Sequence, residues 1–403
     1  MIDALTFDIL LIIMMFVLNR AGVSLRRSGR ILSPAGISAI LVFTLNEGLR
    51  FGRGLEYNKY GIKYEELAKG GDVNWDFNFQ FIAKFLIALD MPWQGYVMLM
   101  SFIFILATVL LLKNYREILP YALPLFVFFS RGDTQAMIRW YMAFSFVMIG
   151  LAILLNDTAT NRRLKFLFFS ILACTFHLAM APVPLVFYFV RYWKSPLLSP
   201  LYILGIYWGI TFFFQTDFML QFVNIANTLS VVSERFQGYS DNAEYWLTAG
   251  YAGTMRSSFP AKLDLIFYCT IVILGYTAIK KCPPKCVFAY NLFIIGLWIN
   301  PIALQIELAF RFCQVFFIFR AIIIACIIDY VFVKKKVALA NVFVILFFIS
   351  FINIGKRLLY SPFSNPDKYL YVWNKRNLTY EQMYEKWMLD LYEQDDNTRK
   401  EKE

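Results

Sequence analysis

The stretch LRFGRGLEYNKY, from Leu49 to Tyr60, follows directly on an apolar run and sets Arg50, Arg53 and Glu56 among Gly52, Gly54, Tyr57 and Tyr60. So abrupt a change from apolar to charged marks the edge of a membrane, where charged groups need a partner or water. Two guanidiniums beside a glycine-bearing turn suit a diphosphate, because each offers a planar fork of donors to two oxygens at once. Gly48, Gly52 and Gly54 leave room for close backbone approach, and Tyr57 and Tyr60 offer flat faces on which a sugar ring can stack.

The same alternation of apolar run and charged turn continues along the chain. Its 403 residues are 59% hydrophobic, 19% aromatic and only 17% charged, a composition of multi-spanning membrane proteins rather than soluble domains. Apolar runs suggest spans near 4–19, 34–48, 94–112, 117–130, 139–155, 165–179, 180–191, 199–215, 259–279, 286–303, 309–332 and 337–355. The shortest rise only ~21 Å as helices. The first run follows Asp3 rather than a basic region and is expected to be a retained span. Residues 77–91 are short and carry Lys84 and Asp90, so they read as a re-entrant or interfacial helix.

The net charge of +11 does not point to nucleic acid, because lysine and arginine fall in short connections between apolar runs. The clusters at Arg20 to Arg30, Lys113 and Arg116, Arg162 to Lys165, Arg191 and Lys194, Lys280 to Lys285 and Lys334 to Lys336 all fall on one side if 77–91 does not cross. The expected fold is therefore an all-α polytopic membrane protein with about twelve transmembrane helices and both termini outside. Residues 1–355 form the transmembrane domain, with outer loops 49–76 and 216–258, and 356–403 form a charged extramembrane tail.

Other polar groups gather on the same outer side. SRGDTQAMIRWYMA brings Arg131, Asp133 and Arg139, with Arg139 at the start of a span and either a structural partner of Asp133 or Glu47 or a second phosphate ligand. His177 is the only histidine, in an apolar segment just before Pro182 and Pro184, where broken helix can line a cavity. It reads as a core residue or as a base for an attacking hydroxyl. Arg311 lies near an outer mouth and suits a diphosphate clamp, whereas Arg320 lies deeper and suits an ion pair with Asp329 or Asp264. ERFQGYSDNAEYW in the loop 216–258 carries Tyr239 and Trp246, suited to a glycan surface or an interfacial helix. Cys282 and Cys286 flank two prolines in KKCPPKC with no second pair, so no metal site is expected.

LRFGRGLEYNKY, RWYMAFSFVMIGLAILL, KFLFFSILACTFHLAMAPVPLVFY and AFRFCQVFFIF, in this order across residues 40–330, resemble the EpsG-type branch of the Wzy oligosaccharide repeat-unit polymerases. Glu56 stands where members of that family usually carry an aspartate. The resemblance implies a membrane glycosyltransferase of the C-type fold at the outer face of a bacterial inner membrane, acting on polyprenyl-diphosphate-linked oligosaccharides without a cofactor. Membrane lipid is an expected partner, and the chain acts either alone or beside a chain-length regulator. On that basis Arg50, Arg53, Arg139 and Arg311 are assigned to diphosphate binding and His177 or Glu56 to the base. Two alternatives stand beside it: a polyprenyl-phosphate-sugar enzyme with a metal at Glu56, Asp72 and Asp76, and a non-enzymatic carrier of lipid-linked sugars.

Overall fold

Local signals start and stop the helices where the sequence changes character. In the computed structural model, which describes residues 2–213, 259–303, 307–333, 370–374 and 377–389, Ser33 caps helix α2 (Pro34–Gly48). Its hydroxyl accepts the Gly36 N–H at 3.2 Å, and Pro34 occupies the first turn, where a missing N–H costs nothing. Helix α1 (Ile2–Ser28) precedes it. After it come α3 (Leu55–Ala68), α4 (Phe77–Ala88), α5 (Trp93–Leu112), α6 (Leu119–Ala136), α7 (Ile138–Leu154), α8 (Arg162–Phe176), α9 (Pro182–Val190) and α10 (Pro200–Phe213). Later come α11 (Phe259–Ile279), α12 (Lys285–Ala303), α13 (Glu307–Phe317), α14 (Arg320–Ile328) and a helix α15 over 380–389. Among the described residues there is no strand, only an isolated antiparallel bridge between Arg50 and Tyr371.

Among the described residues, four helical stretches are long and apolar enough to cross a membrane: Thr6–Ser28, Trp93–Ala136, Lys285–Ala303 and Ala309–Phe332. The chain is a helical membrane protein. Trp93–Ala136 is divided by a 3-10 turn at Lys113–Ile118, where Tyr115 leaves helical geometry, so α5 and α6 are separate rods as the sequence suggested. Four other expected spans coincide with shorter apolar helices among the described residues, Ile138–Leu154, Leu178–Val190, Pro200–Phe212 and Leu263–Ile279. The expected span 337–355 lies outside the described residues.

The chain divides into two compact units, Met1–Leu185 with Arg357–Glu403, and Val186–Lys356. In the first, α1 packs on α2 and α6, α2 on α5, and α7 on α5 and α8. Gly22 permits the crossing of α1 and α6, since a Cβ there would meet the Leu119 carbonyl at 2.7 Å, and Asn19 donates to the Pro120 carbonyl at 2.8 Å. At one end of this bundle Arg116 donates to the carbonyls of Arg26 and Arg27, both at 2.6 Å, which unites two basic clusters that the sequence assigned to one side. Helix α4 buries Phe79, Ala83 and Leu86 and exposes Phe77, Phe81 and Phe85 at four-residue spacing. A twelve-residue helix with one face against protein and the other aromatic and bare suits the interface rather than a crossing.

In the second unit α12 lies along α13, with Gly296 admitting the Phe317 backbone. The Tyr290 hydroxyl on α12 ties it to α11 through the Val272 carbonyl at 2.9 Å.

Candidate functional site

The first unit gathers its polar side chains at the end opposite the joined basic clusters. Helix α2 ends at Gly48, and the backbone then turns through Gly52 (φ +71°) and Gly54 (φ +93°), left-handed positions that a side chain would strain. This turn carries Arg50 and Arg53, and both are buried. The chain's own C-terminal part covers both. Phe51 N–H donates to the Leu370 carbonyl and Val372 N–H to the Leu49 carbonyl, each at 3.0 Å, while Trp387 of α15 donates to the Gly52 carbonyl at 2.8 Å. Arg53 Nη2 donates to the Leu370 carbonyl at 3.4 Å, and its guanidinium lies 4.4 Å from the Tyr371 ring and 4.8 Å from that of Phe7.

Glu47, in the last turn of α2, is the carboxylate at the centre. Its Oε1 accepts from Arg131 Nε at 2.5 Å, and its Oε2 accepts from Gln135 at 2.6 Å and from Arg50 Nη1 at 3.4 Å. Arg131 also stacks on Phe7, at 4.5 Å, so this ring lies within reach of two guanidiniums. Burial pushes the Arg50 and Arg53 guanidiniums down from their ordinary values, opposed by Glu47 at Arg50 and by Tyr371 at Arg53. Arginine remains charged at such sites. Arg50 Nε, Arg53 Nε and Nη1, and Arg131 Nη1 and Nη2 are buried with no hydrogen-bond acceptor. Five donor nitrogens on three cations without acceptors are an unfilled demand for negative oxygen.

Beside this cluster the start of α7 carries a second one. Arg139 Nη1 pairs with Asp76 Oδ2 at 3.0 Å and its Nε donates to the Tyr60 hydroxyl at 2.8 Å. The expected partners Asp133 and Glu47 are engaged elsewhere, Asp133 by the Tyr141 hydroxyl and Glu47 by Arg131. The same Asp76 oxygen lies 4.0 Å from His177 Nδ1. His177 stands just past α8 in extended backbone, so the helix breaks at the histidine itself, ahead of the prolines. The Trp140 ring meets it edge to face at 5.3 Å. Asp76, Arg139 and His177 retain 12%, 24% and 17% side-chain exposure, open enough to meet a substrate. Glu56 Oε2 accepts the Ile138 N–H at 3.1 Å and so caps the helix that presents Arg139.

The stacking faces expected of Tyr57 and Tyr60 are not presented to solvent. Both rings are buried with Trp75, Phe79 and Trp93. Tyr57 donates to the Arg50 carbonyl at 3.0 Å, so its work is to hold the arginine turn. A water-sized cavity of about 20 Å³ lies beside Glu47 and Arg50, closed by Phe43, Phe104, Thr134 and Tyr141. Arg311 belongs to α13 in the second unit, and Tyr239 and Trp246 lie outside the described residues.

Three contributors were not read in these roles from the sequence: Glu47 as the hub, Asp76 as the carboxylate beside His177, and residues 370–374 and 377–387 as the cover. An acid at the end of an apolar run was the signal available for Glu47. Nothing in the pattern announces the other two.

No curated protein and no solved structure matches the chain. The EpsG family model matches residues 35–365, most of the 403, and includes Glu47, Arg50, Arg53, Asp76, Arg131, Arg139 and His177; the chain belongs to the EpsG family.

Proposed function

We propose that this protein is a polysaccharide polymerase that joins polyprenyl-diphosphate-linked oligosaccharide units by glycosyl transfer at the outer face of the bacterial inner membrane. The observation that carries this reading is the set of acceptor-less guanidinium nitrogens on Arg50, Arg53 and Arg131 beside an Asp76–His177 pair. The leaving group is a lipid diphosphate, so the barrier falls mainly through stabilisation of negative charge as the anomeric bond breaks. Arg50, Arg53 and Arg131, with Arg139 at the rim, supply cations for that charge. His177 accepts the proton of the acceptor hydroxyl, and Asp76 orients the imidazole and stabilises it once charged. Glu56 serves the site by fixing α7.

Backbone bonds between residues 49–51 and 370–372 put both segments on one face, which requires an even number of crossings between them. The ten spans expected between 94 and 355 satisfy this, and a crossing by 77–91 would break it.

The metal-dependent alternative drew on Glu56, Asp72 and Asp76. Asp76 is salt-bridged to Arg139, Glu56 caps α7 and Asp72 is exposed, so the three acids serve different tasks. The deciding experiment gives purified protein in lipid a polyprenyl-diphosphate-linked oligosaccharide and sizes the glycan. A ladder that survives a chelator is the expected result. Transfer that a chelator abolishes supports the metal enzyme, and movement of the lipid across the bilayer with no ladder supports a carrier.

A further inference from the structure

Within the second unit three thiols come together that are separated in sequence. Cys282 and Cys286 belong to the turn KKCPPKC between α11 and α12, and Cys326 lies near the end of α14. The turn is held by backbone bonds, Cys282 N–H to the Ile279 carbonyl at 3.2 Å and Cys286 N–H to the Pro283 carbonyl at 2.8 Å. The three Sγ atoms all lie within 4.8 Å of one another. Cys286 and Cys326 are buried and Cys282 is half-buried.

We propose that these thiols bind a soft d¹⁰ cation of the Zn²⁺ kind, which clamps the α11–α12 turn onto α14. With metal–sulfur bonds of about 2.3 Å, tetrahedral thiolates stand roughly 3.8 Å apart, so the three sulfurs need close by no more than about 1 Å. Thiolate is the donor that such cations prefer, and each thiol gives its proton to solvent as the ion enters. Three thiolates and one divalent ion carry one net negative charge, and Lys280, Lys281 and Lys285 flank the site in sequence to offset it. The fourth position falls to water on the side where Cys282 is accessible. Sequence spacing alone supplied two ligands; the third arrives only because α14 packs against both α11 and α12.

The test titrates the purified, untagged full chain in detergent with Cd²⁺, reading the sulfur-to-cadmium charge-transfer absorption, and competes it with Zn²⁺. The expected result is saturation at one ion per chain, reversed by Zn²⁺. Cys282→Ser and Cys326→Ser each abolish the saturable band, while Cys174→Ser and Cys269→Ser, outside the cluster, leave it intact. Absence of a saturable band in the unmodified chain overturns the proposal without recourse to any variant. So does a band that Cys326→Ser leaves unchanged.

Discussion

Asp76 Oδ2 stands 4.0 Å from His177 Nδ1, joining the residue before α4 to the residue after α8. The same oxygen holds Arg139 at 3.0 Å. One carboxylate thus stands close to an imidazole and holds a guanidinium, and its removal should disturb both.

For the base, His177→Ala and Asp76→Asn should each lower the polymerisation rate by roughly 10²–10⁴-fold, the range that general-base catalysis contributes. Binding of the lipid-linked donor should hardly change in His177→Ala, whereas Asp76→Asn, which also loses its hold on Arg139, should weaken it. Single-turnover rates beside donor binding in nanodiscs separate the two effects, and a loss confined to binding would remove His177 from the chemistry.

Glu47 is the counter-charge for Arg131 and Arg50 in a buried setting. Glu47→Ala leaves two buried cations without it and should cost about 3–5 kcal/mol of stability. A thermal unfolding scan in detergent should place this variant well below Arg139→Ala, whose pair is partly exposed and correspondingly weaker.

Arg53 lies against the rings of Tyr371 and Phe7, and this contact uses the flat guanidinium. Arg53→Lys keeps the charge but loses the planar fork and should reduce turnover by about 10²–10³-fold, comparable to removing one oxyanion donor. Sizing of the surface glycan should then find single repeat units in place of a ladder. A normal ladder would show that charge alone suffices.

Tyr371 closes over Arg53, and its hydroxyl donates to Asn46 Oδ1 at 3.2 Å. Tyr371→Ala should raise the labelling of Arg53 by an arginine-selective dicarbonyl several-fold, read by peptide mass spectrometry. Labelling of exposed Arg27 provides the internal reference.

Gly54 adopts φ +93°, and a Cβ there would meet the Gln135 carbonyl at 2.8 Å. Gly54→Ala should therefore destabilise the protein by about 1–3 kcal/mol, the usual cost of a strained backbone position. It should also lower the affinity for the donor, because Gln135 steadies Glu47. Unfolding midpoint and donor affinity measured on the same preparation check both consequences.

The helical membrane character of the chain follows from sequence alone, because long apolar runs leave the backbone no partner but itself in lipid. The same holds for the ends of α2, written in Ser33, Pro34 and the glycines after Leu49, since capping and left-handed turns depend on neighbours a few residues away. Arg50, Arg53, Arg139 and His177 were legible as candidates for a similar reason: polar groups in or beside apolar runs stand out by cost. What they pair with was not legible. Arg131 meets Glu47 across 84 residues, Arg139 meets Asp76 across 63 and Arg53 meets Leu370 across 317. Such partners are chosen by which helix ends packing brings level, and no local periodicity encodes that. Tyr57 and Tyr60 illustrate the limit: their spacing defines one face of α3, but only the packing of Trp75, Phe79 and Trp93 against that face turned it inward.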